Sequence, residues 1–257
     1  MAWGVRIRSA ARAALLHLGL SLLMAGAVAW LVFGVWYPAP FHELTGGRSL
    51  FLILMAVDVV CGPLLTLVLY NPSKSRFKWR VDLSLIVLTQ LGALAYGLAQ
   101  VATARPVFVA LEGDRFRVVQ ALDIDRTQLP LAPEGLGELG YGGPRLLGVR
   151  LAQSGDADYL RSVQLSAQGL HPAFRPLRWR PFEEQIPMLQ QQLKSLADLR
   201  AKNPRKLEEL DAAVRELGLS EEELGYLPLV REEITDWVAL VQRSTGQPRA
   251  YLHLDGW

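Results

Sequence analysis

The sequence has one cysteine and four histidines, and this scarcity excludes several kinds of chemistry. A single thiol, Cys61, cannot form an intramolecular disulfide or a thiol-rich metal site. The histidines are scattered through the chain, with no pair at metal-ligand spacing: His17, His42, His171 and His253. We therefore expect no bound metal and no cofactor.

Motifs for nucleophilic catalysis and for phosphate binding are missing as well. No serine lies in a Gly-x-Ser-x-Gly setting. The stretch from Asp123 to Pro144 is rich in glycine and proline, but it lacks the Gly-x-Gly-x-x-Gly and Gly-Lys-Ser/Thr patterns that hold phosphates, so we expect a long irregular connection there. The sequence predicts a protein that is not an enzyme and has no catalytic residues.

A basic surplus is also absent from the C-terminal part of the chain. Residues 105–257 contain nineteen Lys and Arg against twenty-two Asp and Glu, a net charge of −3, although the whole chain carries +2. Nucleic-acid binding requires basic residues that neutralise phosphates. We therefore expect no nucleic-acid partner.

Long apolar runs, by contrast, fill the first hundred residues. They extend over residues 13–36, 50–70 and 81–103. Each is long enough to cross the ~30 Å hydrocarbon layer as a helix, and unpaired backbone groups are not tolerated there. We expect a membrane domain, residues 1–105, with three transmembrane helices in contact with lipid, followed by a soluble domain, residues 106–257.

Basic residues around these runs predict the orientation, because positive charge accumulates on the cytoplasmic side of a membrane. The loop between the first two runs contains only Arg48, opposed by Glu43. Seven basic residues flank the other side: Arg6, Arg8, Arg12, Lys74, Arg76, Lys78 and Arg80. In a bacterium this places the N-terminus in the cytoplasm, three helices in the inner membrane and the C-terminal domain in the periplasm.

A cleaved signal peptide is the competing interpretation of the first run. Its basic start, the apolar stretch from Ala13 to Met24 and the small residues Ala25-Gly26-Ala27 fit that pattern. However, the apolar sequence continues well past this site to Trp36. A permanent anchor is the better interpretation.

The C-terminal part has the pattern of an α+β domain. Two helices, residues 188–201 and 204–218, should form a hairpin that covers a sheet. The proline-rich stretch from His171 to Pro187 predicts an extended surface connector with solvated arginines, and a ligand-binding patch is the alternative. Short apolar or alternating runs predict strands at residues 107–111, 115–119, 145–151, 226–230, 234–242 and 249–254.

Asp58 is the most informative residue of the predicted bundle. At a helical rise of 1.5 Å per residue, Asp58 lies about 18 Å from the cytoplasmic boundary of the membrane. A carboxylate at that depth needs a polar partner. Thr89 and Gln90 of the third helix lie at a similar depth, so we expect the three to form a polar core. His17 is too shallow for direct pairing with Asp58. A structural hydrogen bond is favoured over a proton relay, because no further ionisable groups continue a path.

Two further features concern helix shape and helix packing. Gly62-Pro63 should kink the second helix, since proline removes a backbone donor and collides with the preceding turn. Ser21, Ala25 and Ala29 form a stripe of small residues that lets another helix approach closely. That helix is either one of this chain's own or one from a partner.

A set of short motifs is distributed along nearly the whole chain: Tyr37-Pro38, Asp58-Val-Val-Cys-Gly-Pro-Leu-Leu-Thr66, Asn71-Pro72, Ala104-Arg-Pro106, Tyr226-Leu-Pro-Leu, Asp236-Trp237, Thr245-Gly246 and Leu254-Asp-Gly-Trp257. In these motifs the chain resembles the type IV pilin accessory proteins, the TfpX/TfpZ family. The resemblance is weakest from Ala121 to Gln185, and the final Asp-Gly-Trp replaces the family's Asp-Pro-Trp.

The resemblance implies an inner-membrane protein that assists the stability, assembly or surface display of a cognate type IV pilin. It implies no catalytic motif and leaves the oligomeric state open. Two other classes remain as alternatives: a membrane-anchored periplasmic sensor or binding module, and an intramembrane enzyme that uses Asp58. A sensor should also carry a cytoplasmic output domain.

The charge distribution makes the topology testable. A reporter fused after Lys78 should be cytoplasmic, and one fused after Val119 should be periplasmic. The reason is that basic residues keep the segments next to the membrane helices on the cytoplasmic side. Paired alkaline phosphatase and fluorescent-protein fusions measure both positions. A cytoplasmic signal from the second fusion would contradict the predicted orientation.

Overall fold

The computed structural model describes residues 2–71 and 74–257, and the chain divides into two compact units. The first ends at Arg105 and the second extends from Pro106 to Trp257. The first unit is helical, and the second combines helices with a mixed sheet. This confirms the expected fold class, a three-helix bundle followed by an α+β domain.

Three long helices dominate the first unit, and their length and composition suit membrane crossing. The first begins before the apolar run, at Ala2, and continues after Ala29 as a π-helical segment, Trp30–Trp36, in which Tyr37 N–H bonds to the Val32 carbonyl five residues back. The helices are α1 (Ala2–Ala29), α2 (Phe41–Leu44), α3 (Gly47–Leu69) and α4 (Arg76–Thr103).

The bundle is built around α3, which packs against α1 on one side and α4 on the other. Small residues permit the close approach of α3 and α4: a Cβ added at Gly97 would lie 2.1 Å from Leu54 Cδ1. The Tyr37 hydroxyl donates to the Val101 carbonyl at 2.7 Å and ties the end of the first crossing to α4. The buried apolar cluster consists of Val28, Val32, Trp36, Tyr37, Met55, Leu94 and Val101.

In the described part of the second unit, seven strands form one sheet in the order β4-β3-β1-β2-β5-β6-β7. The β1–β3 and β2–β5 pairs are parallel, and the other neighbours are antiparallel. The interior strand β1 is buried at every position. The strands are β1 (Pro106–Glu112), β2 (Arg115–Gln120), β3 (Arg145–Val149), β4 (Trp179–Arg180), β5 (Leu224–Arg231), β6 (Ile234–Gln242) and β7 (Pro248–Leu252).

Helices of the second unit cover parts of this sheet. Leu199 and Leu210, on two of these helices, are fully buried against β5 and β6, together with Leu254 from the C-terminal tail. A second apolar cluster, centred on Phe108 and Trp179, packs on β1 and β3. The helices are α5 (Tyr159–Ala167), α6 (Ile186–Gln192), α7 (Leu196–Lys202) and α8 (Leu207–Leu217).

The helix predicted at residues 188–201 is interrupted between α6 and α7. Lys194 forms a two-way main-chain bridge with Tyr226, at 3.1 Å in each direction, and Ser195 then caps α7 by accepting from Asp198 N–H at 3.2 Å. The apolar spacing of the leucines is compatible with one helix. The main-chain pairing of Lys194 with Tyr226 of β5 interrupts the helix, and the sequence around Lys194 does not predict that pairing.

The proline-rich stretch also differs from its prediction as a connector with solvated arginines. Arg175 and Arg178 are only 4% and 6% exposed. Prolines 172 and 176 each open a single 3₁₀ turn, and these turns direct the two guanidinium groups into the domain. The prediction failed because a proline- and arginine-rich composition indicates the conformation of the local backbone. The burial of an arginine side chain depends instead on which other parts of the domain pack over it.

A buried ion pair joins β1 to β2. Arg117 Nε donates to Glu112 Oε2 at 2.5 Å, and both side chains are 7% exposed. The other carboxylate oxygen accepts from the Ala173 main-chain N–H at 3.2 Å. Because removing one partner of a buried pair leaves the other charge uncompensated, this pair should be important for the stability of the domain.

Glu112→Gln should therefore destabilise the second unit by about 3 kcal/mol, which lowers its melting temperature by about 10 °C. Asp114→Asn is the matched control, because the Asp114–Arg115 pair is solvent-exposed and is worth at most about 1 kcal/mol. Thermal unfolding of the purified full-length protein, followed by tryptophan fluorescence, measures both variants. Equal melting of the two would contradict the assigned role of the buried pair.

Candidate functional site

A hydrogen-bonded polar pair lies inside the membrane unit, between α3 and α4. Gln90 Nε2 donates to the Asp58 main-chain carbonyl at 3.1 Å and to its carboxylate Oδ1 at 3.3 Å. Both side chains are half-buried. The bond to Oδ1 gives the carboxylate a partner within the protein, which lowers the free energy of placing a carboxyl group in hydrocarbon.

Gly62 makes this pair possible. A Cβ at position 62 would lie 2.1 Å from Gln90 Nε2 and 2.6 Å from its Cδ, so the amide crosses directly over the glycine. From the sequence, Gly62 is expected only to shape α3 together with Pro63. Its observed neighbours assign it a second role, which is to leave room for the side chain that reaches Asp58.

The structure places the neighbouring predicted residues differently. Thr89 is exposed on α4, on a different face from Gln90, because successive helical residues point about 100° apart. Pro63 lies within the continuous helix α3 and is half-buried. The kink at Gly62-Pro63 remains a prediction.

A second polar contact joins α1 to α3, and sequence reasoning missed it. His17 Nδ1 lies 2.6 Å from Thr66 Oγ1, and Thr66 is buried. The difference in depth that separates His17 from Asp58 also places His17 level with residues about two turns nearer the C-terminal end of α3. That signal pointed to Thr66 and was available in the sequence.

The small-residue stripe lies on the packed side of α1. Ser21 is 7% exposed, Ala25 packs against the buried apolar cluster, and Ala29 is half-buried. This arrangement favours packing against the chain's own helices, one of the two alternatives left open by the sequence. Docking of a partner helix on this stripe remains untested.

A groove runs between α1 and α4 over α3, and we call it the α1–α4 groove. Its volume is about 410 Å³, and its walls extend from Ala13 to Met24 on α1 and from Trp79 to Leu94 on α4. The His17–Thr66 and Asp58–Gln90 contacts both lie on its lining. Since these polar groups bond to one another, the surface that the groove offers is mainly apolar.

In the second unit, several motif residues gather around the C-terminal tail. Asn203 and Asp255 exchange two hydrogen bonds, from Nδ2 to the carbonyl and from the main-chain N–H to Oδ1, each 2.9 Å long. Lys194 Nζ donates to the Gly256 carbonyl at 3.1 Å and lies 5.4 Å from the Trp257 ring centroid. The tail is thereby fixed on the domain.

The tail also contacts strands β5 and β6 directly. A Cβ at Gly256 would lie 2.8 Å from Val238 Cγ1, so only glycine fits this approach without displacement. Trp237 stacks on His253 with ring centroids 5.0 Å apart, and His253 Nε2 lies 2.6 Å from Asp236 Oδ2. The motifs Asp236-Trp237 and Leu254-Asp-Gly-Trp257 therefore belong to one structural cluster.

Helix α5 is held to the domain mainly through polar contacts. Arg175 Nη2 donates to the buried Ser162 hydroxyl at 2.7 Å, and Arg178 pairs with Asp158 at the helix start. Burial and the neighbouring Arg178 lower the pKa of Arg175. Two large apolar side chains of α5 are solvated: Leu160 is 80% exposed and Val163 is 51% exposed.

A further buried ion pair of the second unit joins Asp123 to Arg231. Burial raises the pKa of Asp123, and Arg231, whose guanidinium lies 3.2 Å from the Asp123 carboxylate, opposes that shift. Within residues 2–71 and 74–257, no three His, Cys, Asp or Glu side chains converge in a way that could hold a metal ion. The fold and these sites define a multi-pass membrane protein with a mixed α+β domain.

Comparisons with known proteins agree with this class and make it more specific. The family model for fimbrial assembly protein FimB matches residues 5–46. A Dichelobacter nodosus fimbrial assembly protein of serogroup I is 34% identical over 240 residues, which covers 93% of each chain. The serogroup E1 protein is 33% identical over 240 residues, which again covers 93% of each chain. A protein of serogroups C1 and C2 is 42% identical over 127 residues, which covers 49% of this chain and 97% of that protein.

The chain therefore belongs to the fimbrial assembly protein family, a family of type IV pilus accessory proteins. The similarity covers both structural units, because 93% of the chain cannot be contained in either one. No solved structure matches the chain.

Asp58 offers a test of the polar pair. Asp58→Asn should be tolerated, since an amide still accepts from Gln90, whereas Asp58→Leu should cost about 1 to 2 kcal/mol because Gln90 loses its side-chain acceptor and keeps only the main-chain carbonyl. Thermal unfolding in detergent measures stability, and surface piliation measures function. If both variants abolish function at normal protein levels, proton chemistry at Asp58 would replace the structural role.

The same hydrogen bond can be tested from Gly62. Gly62→Ala should displace the Gln90 amide and destabilise the bundle by about 1 kcal/mol through the lost hydrogen bond. Gly92→Ala is the matched control, because a Cβ there meets nothing within 4 Å. The control should be neutral or slightly stabilising, since alanine is the better helix former.

Proposed function

We propose that this protein is a non-enzymatic inner-membrane accessory factor that binds a cognate type IV pilin and assists its assembly into pili. The observation that carries the proposal is the similarity to fimbrial assembly proteins over 93% of the chain. Family membership supports a role in pilus assembly. The pilin as the direct partner and the absence of catalysis are the parts that we add.

The proposed topology places the N-terminus in the cytoplasm and residues 106–257 in the periplasm. The support is the charge asymmetry, with seven basic residues on one side of the three apolar runs and one in the opposite loop. A pilin subunit waiting in the inner membrane would then meet this protein both within the bilayer and outside it.

We assign the choice of pilin to the second unit. Membrane helices associate through close packing rather than through hydrophobicity, so contacts between apolar helices discriminate weakly among similar partners. The second unit offers a more varied surface. Large exposed apolar side chains are concentrated in its middle segment, which is also the segment that the family resemblance covers least: Leu122, Leu131, Tyr141, Leu151, Leu160, Val163 and Leu177.

Helix α5 is the best-defined element of this surface. Two arginines fix its inner face, while Leu160 and Val163 project outward on adjacent turns. A helix that anchors itself through polar groups and exposes its apolar residues is arranged oppositely to an ordinary surface helix. Exposed apolar side chains on a rigid support are typical of protein-binding surfaces.

A domain exchange tests this assignment. In a strain that lacks the gene and assembles few surface pili, a chimera with residues 106–257 taken from a relative should restore assembly of the relative's pilin. The converse chimera, with the relative's residues 1–105, should retain the original preference. Immunoblots of pilin and counts of surface pili measure both, and preference that follows residues 1–105 would contradict the assignment.

Crosslinking to pilin in cells tests helix α5. Replacing Leu160 and Val163 with serine should reduce pilin crosslinking about tenfold, because apolar contact residues at an interface centre dominate affinity. Leu207→Ser is the matched control, since Leu207 is also exposed but lies on α8. Unchanged crosslinking of the double variant would exclude α5 from the pilin-binding surface.

A further inference from the structure

The α1–α4 groove has about the length of one acyl chain. Its walls on α1 span Ala13 to Met24, about 17 Å at 1.5 Å per residue. One leaflet contributes about half of the ~30 Å hydrocarbon layer, so the acyl chain of a lipid has a similar length. The volume of about 410 Å³ and the largely apolar lining therefore suit a hydrocarbon chain.

The lining of the groove is also suited to hydrocarbon. Four of its polar side chains are paired within the protein, His17 with Thr66 and Asp58 with Gln90. An apolar chain that lies beside them breaks no hydrogen bond. The remaining walls consist largely of leucine and other apolar side chains, which give a chain close contact along its length.

One end of the groove adjoins a second, basic pocket, which we call the mouth pocket. Its volume is about 270 Å³, and it is lined by Tyr70, Asn71, Lys74, Arg76 and Trp79. Tyr70 and Trp79 line the groove as well, and their rings meet edge to face with centroids 6.5 Å apart. Such aromatic residues are enriched at the membrane interface, where lipid headgroups lie.

The mouth pocket has donors suited to a phosphate. Lys74 Nζ donates to the Leu69 carbonyl at 3.1 Å and pairs with Asp82 at 2.5 Å, and these contacts fix its ammonium group at the mouth pocket. Arg76 is exposed beside it and adds a second positive charge. Asp82 is the acidic group at this end, so Lys74 and Arg76 together leave a net positive charge.

We propose that the membrane unit binds one anionic phospholipid, with an acyl chain in the α1–α4 groove and the phosphate at the mouth pocket. Basic pockets between transmembrane helices on the cytoplasmic side are suited to anionic headgroups. The site joins an apolar slot to a cationic mouth through shared aromatic residues. A bound lipid would fill the space between α1 and α4 and brace both helices against α3.

Lipid binding can be measured on the purified full-length protein by native mass spectrometry, with dioleoyl phosphatidylglycerol and dioleoyl phosphatidylethanolamine as competing probes. Phosphatidylglycerol should be retained about fivefold more than phosphatidylethanolamine. Arg76→Gln should remove this preference. Arg80→Gln is the matched control, since Arg80 is exposed on the same helix but does not line the mouth pocket, and it should retain the preference.

The groove is tested separately with bulky substitutions on α4. Leu91→Trp should fill the groove and reduce binding of both lipids, whereas Leu88→Trp, at an exposed position that does not line it, should not. Equal retention of the two lipids by the unmodified protein would overturn the proposal. Equal effects of Arg76→Gln and Arg80→Gln would do the same, and that comparison stands even if Leu91→Trp fails to fold.

A crosslinking experiment in cells distinguishes lipid from protein as the occupant. A photoreactive amino acid replacing Leu91 should capture lipid. If it captures a pilin helix and no lipid, the groove is a protein-docking site and the lipid proposal is wrong. This outcome would leave the proposed accessory role intact, so failures of the two proposals are distinguishable.

Discussion

The membrane unit depends on one constraint: polar groups placed in hydrocarbon must find partners within the protein. Asp58 meets it through Gln90, and that bond needs the space left by Gly62. His17 meets it through Thr66. These two contacts fix α4 and α1 against α3 at defined depths, and the groove between the outer helices follows from that arrangement.

The second unit satisfies the same requirement with charged groups. Its buried arginines are each placed by a particular acceptor, Arg117 by Glu112, Arg175 by Ser162 and Arg178 by the start of α5. Burying a guanidinium is expensive unless it is paired. The segment that connects β3 to the C-terminal half is therefore held by specific polar contacts, and apolar side chains of α5 remain free to face outward.

Residues that are distant in the sequence together hold the C-terminal tail on the domain. Asn203, Lys194 and the β5–β6 surface together hold Asp255 and Gly256 in place. The interruption between α6 and α7 belongs to the same arrangement, because Lys194 bonds through its main chain to Tyr226 and through its side chain to the tail. A straight helix would turn Lys194 away from one of these partners.

The sequence by itself determined the division into three membrane helices and an α+β domain, because hydrophobic run length and strand periodicity are local properties. It also identified Asp58 as a group that needs a partner and Gln90 as a residue within reach. Tertiary structure decided the rest. Burial of Arg175, the inward position of Ser21 and Ala25, and the break at Lys194 all depend on residues far away in the chain, and the pattern around each residue carries no information about which distant group will pack against it.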